Sequence, residues 1–123
     1  MEVGSLMHRT HEEWERLLVL LGEMQGIYKE LMALLRDEER GLLEMDRQGV
    51  ADVTEKKEQV LDTMRRYEQK VIAVLHQLAG SENHERLEVW LKQTRNPHAS
   101  TARMKLQELG DLTREIQAHG KKN

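Results

Sequence analysis

Among the residues that could do chemistry, His8 and His11 have the most suggestive spacing, and Glu12 follows them directly. Residues three or four apart share one face of a helix, so two imidazoles and a carboxylate placed there could hold a metal ion. A solvent-facing N-terminal segment without any ligand produces the same pattern. We favour this second interpretation, because the other histidines form no cluster, and we predict no metal site and no cofactor.

Motifs for catalysis are otherwise missing from the sequence. The chain has no cysteine, which excludes thiol chemistry, and it contains no glycine-rich phosphate loop and no Gly-x-Ser-x-Gly motif. No histidine follows a glutamate by three residues, so the Glu-x-x-His pattern of di-iron bundles is absent as well. The many carboxylates are typical of solvated helix faces. We therefore predict that the protein is not an enzyme.

The composition predicts long helices. Charged residues make up 33% of the chain, Phe is absent and there is only one Pro. A net charge of -3, with both signs interspersed, argues against nucleic acid as a partner. The first residues do not resemble a signal peptide, and the longest apolar run is only 17–21. We therefore expect a cytoplasmic protein without membrane insertion.

A first long helix is predicted over residues 14–45. Its apolar positions recur in steps of three and four, the heptad pattern of a helix that packs along its whole length against another. Glu38 is the single interruption of this stripe. The apolar positions are Trp14, Leu17, Leu21, Met24, Tyr28, Leu31, Leu35, Leu42 and Met45.

A second long helix is predicted over residues 52–79. The heptad breaks at 46–49, where Gly49 is a signal for the end of a helix, and Asp52 with Glu55 then offers a capping box for the next one. Its apolar stripe contains Val50, Val53, Val60, Met64, Tyr67, Val71, Val74 and Leu78.

Two shorter helices complete the prediction. One is expected over 82–95, and Pro97 is placed to open a helix over 97–119, which Gly120 would end. The fold class is therefore an all-α antiparallel bundle, built on a long two-helix hairpin with one short helix and one amphipathic C-terminal helix. We expect a single domain over 1–123.

The two long stripes also predict how the hairpin is paired. If the chain folds back at the turn, the numbers of facing residues should have a constant sum, and seam pairs from 17 with 78 to 45 with 50 all give 95. Glu38 and Lys57, the polar interruptions, fall in one layer. They could form an ion pair that fixes the register, since a slipped pairing would separate them. The same constant sum would arise from two regular heptads without an ion pair. In that case Lys57 extends to water and Glu38 lies on a solvent-exposed edge of the hairpin.

Both long helices are apolar beyond this seam. Two helices cannot cover so wide a face, so the third and fourth must cover part of it, and whatever remains is a candidate partner surface. The additional positions are Leu18, Leu20, Ile27, Met32 and Leu34 on the first helix and Leu61, Ile72 and Leu75 on the second.

The residues around the turn resemble those of the FlgN-like flagellar export chaperones, a family of small helical proteins. The family pattern is a Leu pair, Glu, Leu, Asp, a Leu-rich turn, Lys and a second Leu pair, and the match covers about residues 14 to 78. The matching positions are Leu34-Leu35, Glu38 or Glu39, Leu42 or Leu43, Asp46, Val50 and Val53, Lys56 or Lys57, and Val60-Leu61.

The resemblance implies a chaperone that binds hook-filament junction (hook-associated) proteins in the cytosol, prevents their premature aggregation and delivers them to the export gate. It also implies that the C-terminal helix, here residues 102–116, engages the helical ends of these clients. An amphipathic helix in a helical groove is a common mode of recognition. The partner-binding residues predicted on this basis are Met104, Leu106, Leu109, Leu112 and Ile116.

Two other functions fit the same sequence. The chain could be a structural coiled-coil scaffold subunit of the export apparatus, with its wide apolar face closed by stable self-association. It could also be a small metal-binding bundle that uses His8 and His11. A chaperone without its client is expected to be a monomer or a weak homodimer, so light scattering separates the first two, and metal analysis tests the third.

Overall fold

The computed structural model describes the backbone of residues 2–80 and 87–122, and the side chains of residues 10–80 and 87–119. Within these ranges the chain forms four α-helices and no strand. They are α1 (Glu2–Leu43), α2 (Arg47–Ala79), α3 (Leu87–Gln93) and α4 (Pro97–Lys122). The prediction of an all-α bundle built on a long hairpin is confirmed.

The hairpin of α1 and α2 contains most of the core. The two helices pack against each other along their length, and the three-four stripe places Leu17, Leu21 and Leu31 of α1 at 0–2% exposure. Val71 and Val74 of α2 are buried against the same core. Each buried aliphatic side chain contributes about 2 kcal/mol relative to an exposed one, so this seam is the main reason why the hairpin closes.

The remaining helices cover one end and one side of the hairpin. α4 folds back along α1, and α3 packs against both α2 and α4. Trp14 and Trp90 stack with their ring centroids 5.7 Å apart. Ala99 and Ala102 of α4 are fully buried, and their small side chains allow α4 to approach the hairpin closely. The two tryptophans are therefore anchors inside the bundle.

The end of α1 differs from the prediction. The helix ends at Leu43, and Met45 lies in the left-handed region with φ 58°. The N–H of Met45 donates to the carbonyl of Leu42 at 3.2 Å, and the N–H of Asp46 donates to that of Gly41 at 2.9 Å. These two bonds define a Schellman motif, which turns the chain out of the helix. Met45 is consequently 84% exposed and is not a seam residue.

The start of α2 also differs. Asp46 is its N-cap, because the carboxylate oxygen Oδ1 accepts a hydrogen bond from the N–H of Gly49 at 3.0 Å. α2 therefore begins at Arg47, more than one turn before the predicted start. The predicted capping box of Asp52 and Glu55 is wrong, since both residues lie inside the helix.

Three further boundaries complete the comparison. α1 begins at Glu2 rather than at residue 14, because helix formation does not require the apolar seam. α4 continues through Gly120, and the predicted stop there is wrong, since one glycine costs a helix only about 1 kcal/mol. The predicted helix over 82–95 is observed as Leu87–Gln93, with 81–86 outside the described residues.

Candidate functional site

Glu38 and Lys57 face each other across the hairpin seam. Lys57 Nζ donates to Glu38 Oε2 at 2.9 Å, and the hydroxyl of Thr54 donates to the same oxygen at 3.1 Å. The Glu38 side chain is only 13% exposed and that of Lys57 24%. The hydrogen bond from Lys57 holds the pKa of Glu38 below its ordinary value, against the opposing effect of burial. The structure thus brings together the two residues that the constant sum placed in one layer.

This ion pair contributes more to geometry than to stability. Removing two charges from water offsets most of their attraction, so the net gain is about 1 kcal/mol or less. A slip of the hairpin by one heptad would leave the Glu38 carboxylate against apolar seam residues without its two donors. That the pair selects the register stays a prediction.

The C-terminal part of α4 is tied to the same region of α1. The His119 side chain is 13% exposed, and its Nε2 lies 3.3 Å from Glu39 Oε2. The same nitrogen lies 3.2 Å from the carbonyl oxygen of Leu35. Three turns earlier in α4, Glu108 accepts a hydrogen bond from the side-chain amide of Gln25. Polar contacts therefore flank the apolar contact between α4 and α1.

The five residues predicted to bind a partner lie mostly on the inner face of α4. Leu109 is 5% exposed and belongs to the core. Leu106, Leu112 and Ile116 are partly buried and pack against that core. Met104 lies outside this face and is 57% exposed. The surface predicted to meet a partner is therefore occupied by the protein's own hairpin, apart from Met104.

Of the candidate metal ligands, His11 contacts a carboxylate outside the set of His8, His11 and Glu12. His11 Nε2 lies 2.9 Å from Glu15 Oε1, one turn further along α1. The His11 ring is also 5.1 Å, centroid to centroid, from the ring of His98 at the start of α4. The side chain of His8 lies outside the described ones. Among the residues that the structure describes, no group of three His, Cys, Asp or Glu side chains could hold a metal ion.

Several contacts were missed by the sequence reasoning. The hydroxyl of Tyr28 donates to Glu68 Oε1 at 3.1 Å, and burial, followed by the charge of Glu68, raises the pKa of Tyr28. The sequence contained a signal for this contact, because the hydroxyl of a buried tyrosine needs a polar partner. The residue numbers 28 and 68 also sum to one more than 95, the value shared by the seam pairs. Arg103 Nη1 donates to the carbonyls of Leu91 and Lys92 at 3.1 and 3.0 Å, and thereby caps α3. No local sequence pattern predicts this cap, because Arg103 lies on α4 and the two carbonyls belong to α3.

The fold and the apolar face of α4 define a class of protein. It is the class of small all-α bundles in which an amphipathic terminal helix lies along a long hairpin. No helix in the described ranges is both long and apolar enough to cross a membrane. The family model for FlgN protein matches residues 7–123. The chain therefore belongs to the FlgN family, which is a family of flagellar export chaperones. Comparisons with curated proteins and with solved structures gave no match.

Proposed function

We propose that this protein is a cytoplasmic chaperone for hook-filament junction proteins. It would bind the C-terminal helical segments of these hook-associated clients, keep them from aggregating, and deliver them to components of the export gate. Family membership supports a role in flagellar export, and the amphipathic helix α4 is the feature that supports binding of helical clients. No cofactor is required for such equilibrium shielding.

The observation that carries the proposal is the position of the apolar face of α4. Leu109 is buried at 5% exposure, and Leu106 and Leu112 pack beside it. If this face also meets the client, α4 must first part from α1. A client helix with a similar apolar stripe could then replace α1 against α4, or α4 against α1, because both are helix-in-groove contacts.

Two features make such an exchange physically reasonable. The polar contacts that flank the α4 interface, from Gln25 to Glu108 and from Glu39 to His119, each involve a solvent-accessible carboxylate and contribute little energy. Met104 of α4, 57% exposed, offers a first contact for an incoming apolar side chain. The client then has to bind the open form more tightly than α4 binds α1.

A covalent lock tests this proposal. The chain has no cysteine, so the double variant Gln25→Cys/Glu108→Cys can be bridged specifically with a short bis-maleimide. A matched control is the bridge Asp111→Cys/Glu115→Cys, which joins two exposed positions one turn apart on α4 and leaves this helix free to move. The probe is the purified C-terminal fragment of a hook-filament junction protein.

Locking α4 to α1 is expected to weaken binding of this fragment at least about tenfold, whereas the control bridge and the unbridged double variant should bind as the wild type does. Equal binding by the locked protein would contradict the role given to the face of α4. Light scattering addresses the scaffold alternative, since a stable oligomer that ignores the fragment would overturn the chaperone proposal. The lock is preferable to Leu109→Asp, because Leu109 is a core residue and its loss would unfold the bundle.

A further inference from the structure

A groove lined by two apolar and three polar side chains lies on the side of the hairpin that faces away from α4. We call it the lateral groove. Ile27 and Val60 line it together with Glu30, Gln59 and Thr63. Helical periodicity extends its floor by one heptad, to Leu34 on α1 and Val53 on α2, both of which are half-buried. Half-buried apolar side chains from both helices thus follow the groove, and Val53 and Val60 belong to the seam as well.

The groove is open because α4 occupies the opposite side of α1. α4 meets α1 at Gly22, Gln25 and Glu39. Positions 25 and 27 are separated by about 200° around a helix, so Ile27 points away from α4. In the described ranges α3 packs against α2 and α4 beside Trp14, at the far end of the hairpin. The lateral groove therefore stays available while α4 is docked.

The edge of this groove on α1 is uniformly acidic. Residues seven apart lie in nearly one column on a helix, with a drift of about 20° per heptad. Three exposed carboxylates occupy one such column on α1, namely Glu23, Glu30 and Asp37, and the exposed Glu44 follows just past the end of the helix. Among the described side chains, Glu30, Asp37 and Glu44 have no ion-pair partner. This row of charges is unneutralised and lies along the apolar side chains of the groove.

The edge on α2 is different. Thr63 lines the groove, and Lys56 and Lys70, seven residues to either side of it, occupy the same column. The groove is thus acidic along α1 and carries two lysines along α2. Such asymmetry selects the chemistry and the orientation of an occupant, because like charges placed against each other are disfavoured.

We propose that the lateral groove is a docking site for an amphipathic helix of a partner protein. The helix would place an apolar stripe on Ile27, Leu34 and Val60, and it would carry Lys or Arg residues at seven-residue intervals along the edge that faces α1. This site is distinct from the face of α4 described above and does not require α4 to move. It would let the protein hold a second helical partner at the same time as a client.

The test uses two matched peptides of about 21 residues, which is three heptads. Both carry the same Leu stripe; one has Lys at every seventh position along one edge, and the other has Glu at those positions. Fluorescence anisotropy at low salt measures their affinities for the full-length protein. Glu30→Lys/Asp37→Lys reverses the acidic edge, and Glu58→Lys/Glu115→Lys makes the same charge change on exposed positions outside the groove.

The Lys peptide is expected to bind the wild type about fivefold or more tightly than the Glu peptide, as several exposed charge pairs would allow. That preference should vanish in the edge variant and persist in the control variant, and added salt should reduce it. Amide shifts in NMR spectra should then cluster around Ile27 and Val60. Absence of binding, equal affinity of the two peptides, or shifts confined to α4 would overturn the proposal. A concentration-dependent dimer that the edge variant abolishes would assign the groove to a second copy and overturn it too.

Discussion

The two ends of the α1–α2 hairpin are built in different ways. At the packed end, residues 14–24 and 71–78 are covered by α3 and the start of α4, and Leu17 is 0% exposed. At the turn end, residues 38–57 meet α4 through the contact of Glu39 with His119, an ion pair occupies the seam, and Leu43 is 80% exposed. One end is held by dry apolar packing, whereas the other depends on polar pairs and helix caps.

This difference indicates how stability is distributed along the molecule. Apolar burial supplies most of the folding free energy, so the packed end should be the last part to open. Caps and partly exposed ion pairs each contribute about 1 kcal/mol, so the turn end should open locally at lower cost. Hydrogen exchange should therefore be slowest around Leu17 and Val74 and faster around Val50.

The largest effect is expected from a cavity at the packed end. Leu17→Ala removes a fully buried side chain and should lower the free energy of unfolding by about 3 kcal/mol or more. Leu43→Ala at the turn end, where the side chain is 80% exposed, should change it by less than about 0.5 kcal/mol. Urea titrations followed by circular dichroism measure both. Similar losses for the two variants would contradict the proposed asymmetry.

A smaller loss should follow from breaking the ion pair. Lys57→Met leaves the Glu38 carboxylate, 13% exposed, without its main donor and should cost about 1 to 2 kcal/mol. The double variant Glu38→Leu/Lys57→Met should recover most of that loss, since apolar residues often replace such pairs without penalty. If the pair fixes the register, only this double variant should show more than one set of hairpin contacts in NMR spectra.

The pH dependence gives an independent test of the same pair. Because the pKa of Glu38 is lowered in the folded protein, its contribution is complete above the unfolded value of about 4.5 and is lost as the pH falls through the folded one. The wild type should therefore lose stability faster than Glu38→Gln below about pH 4.5. Parallel stability curves for the two proteins would argue against the charged pair.

The helix cap at the turn comes next. Asp46→Ala removes the acceptor of the Gly49 N–H and should lower the free energy of unfolding by about 1 kcal/mol. Asp46→Asn should retain most of the cap, because an amide oxygen can accept the same bond. An Asp52→Ala variant, which alters the falsely predicted cap, should be close to neutral.

A modest gain is expected at the residue with left-handed backbone. Met45 has φ 58°, a conformation that costs a non-glycine residue about 1 kcal/mol, and it buries almost none of its side chain. Met45→Gly should therefore stabilise the protein by about 0.5 to 1 kcal/mol. The control Met104→Gly places glycine at another exposed methionine, inside helix α4, and should destabilise it by a similar amount. Thermal melts of both variants distinguish the conformational effect from the loss of the side chain.

The contrast between the packed end and the turn end of the hairpin also explains what the sequence could predict. Heptad spacing reports side-chain burial, so it correctly indicated the hairpin and the layer that holds Glu38 and Lys57. It failed for Met45, because apolar spacing continues for two residues after the helix has ended. Asp46 and Asp52 are both plausible caps by type, and only the Schellman turn before Asp46 decides between them.

The face of α4 shows a second limit. Its amphipathic pattern correctly indicated that Leu106, Leu109 and Leu112 need an apolar neighbour, but a pattern cannot say which neighbour. In the free protein that neighbour is the hairpin. The anchoring of His119 beside Leu35 joins residues far apart in the chain, so no local signal could have predicted it. Long-range partners of this kind are set by packing, not by propensity.

The proposed chaperone function requires that one face of α4 packs first against the hairpin and then against a client. Spin labels on the exposed positions 29 of α1 and 107 of α4 report the distance between these helices, and labels at 29 and 65 report the hairpin alone. When the C-terminal fragment of a hook-filament junction protein is added to saturation, the first distance should lengthen or broaden while the second stays constant. An unchanged distance between α1 and α4 in the saturated complex would contradict the account.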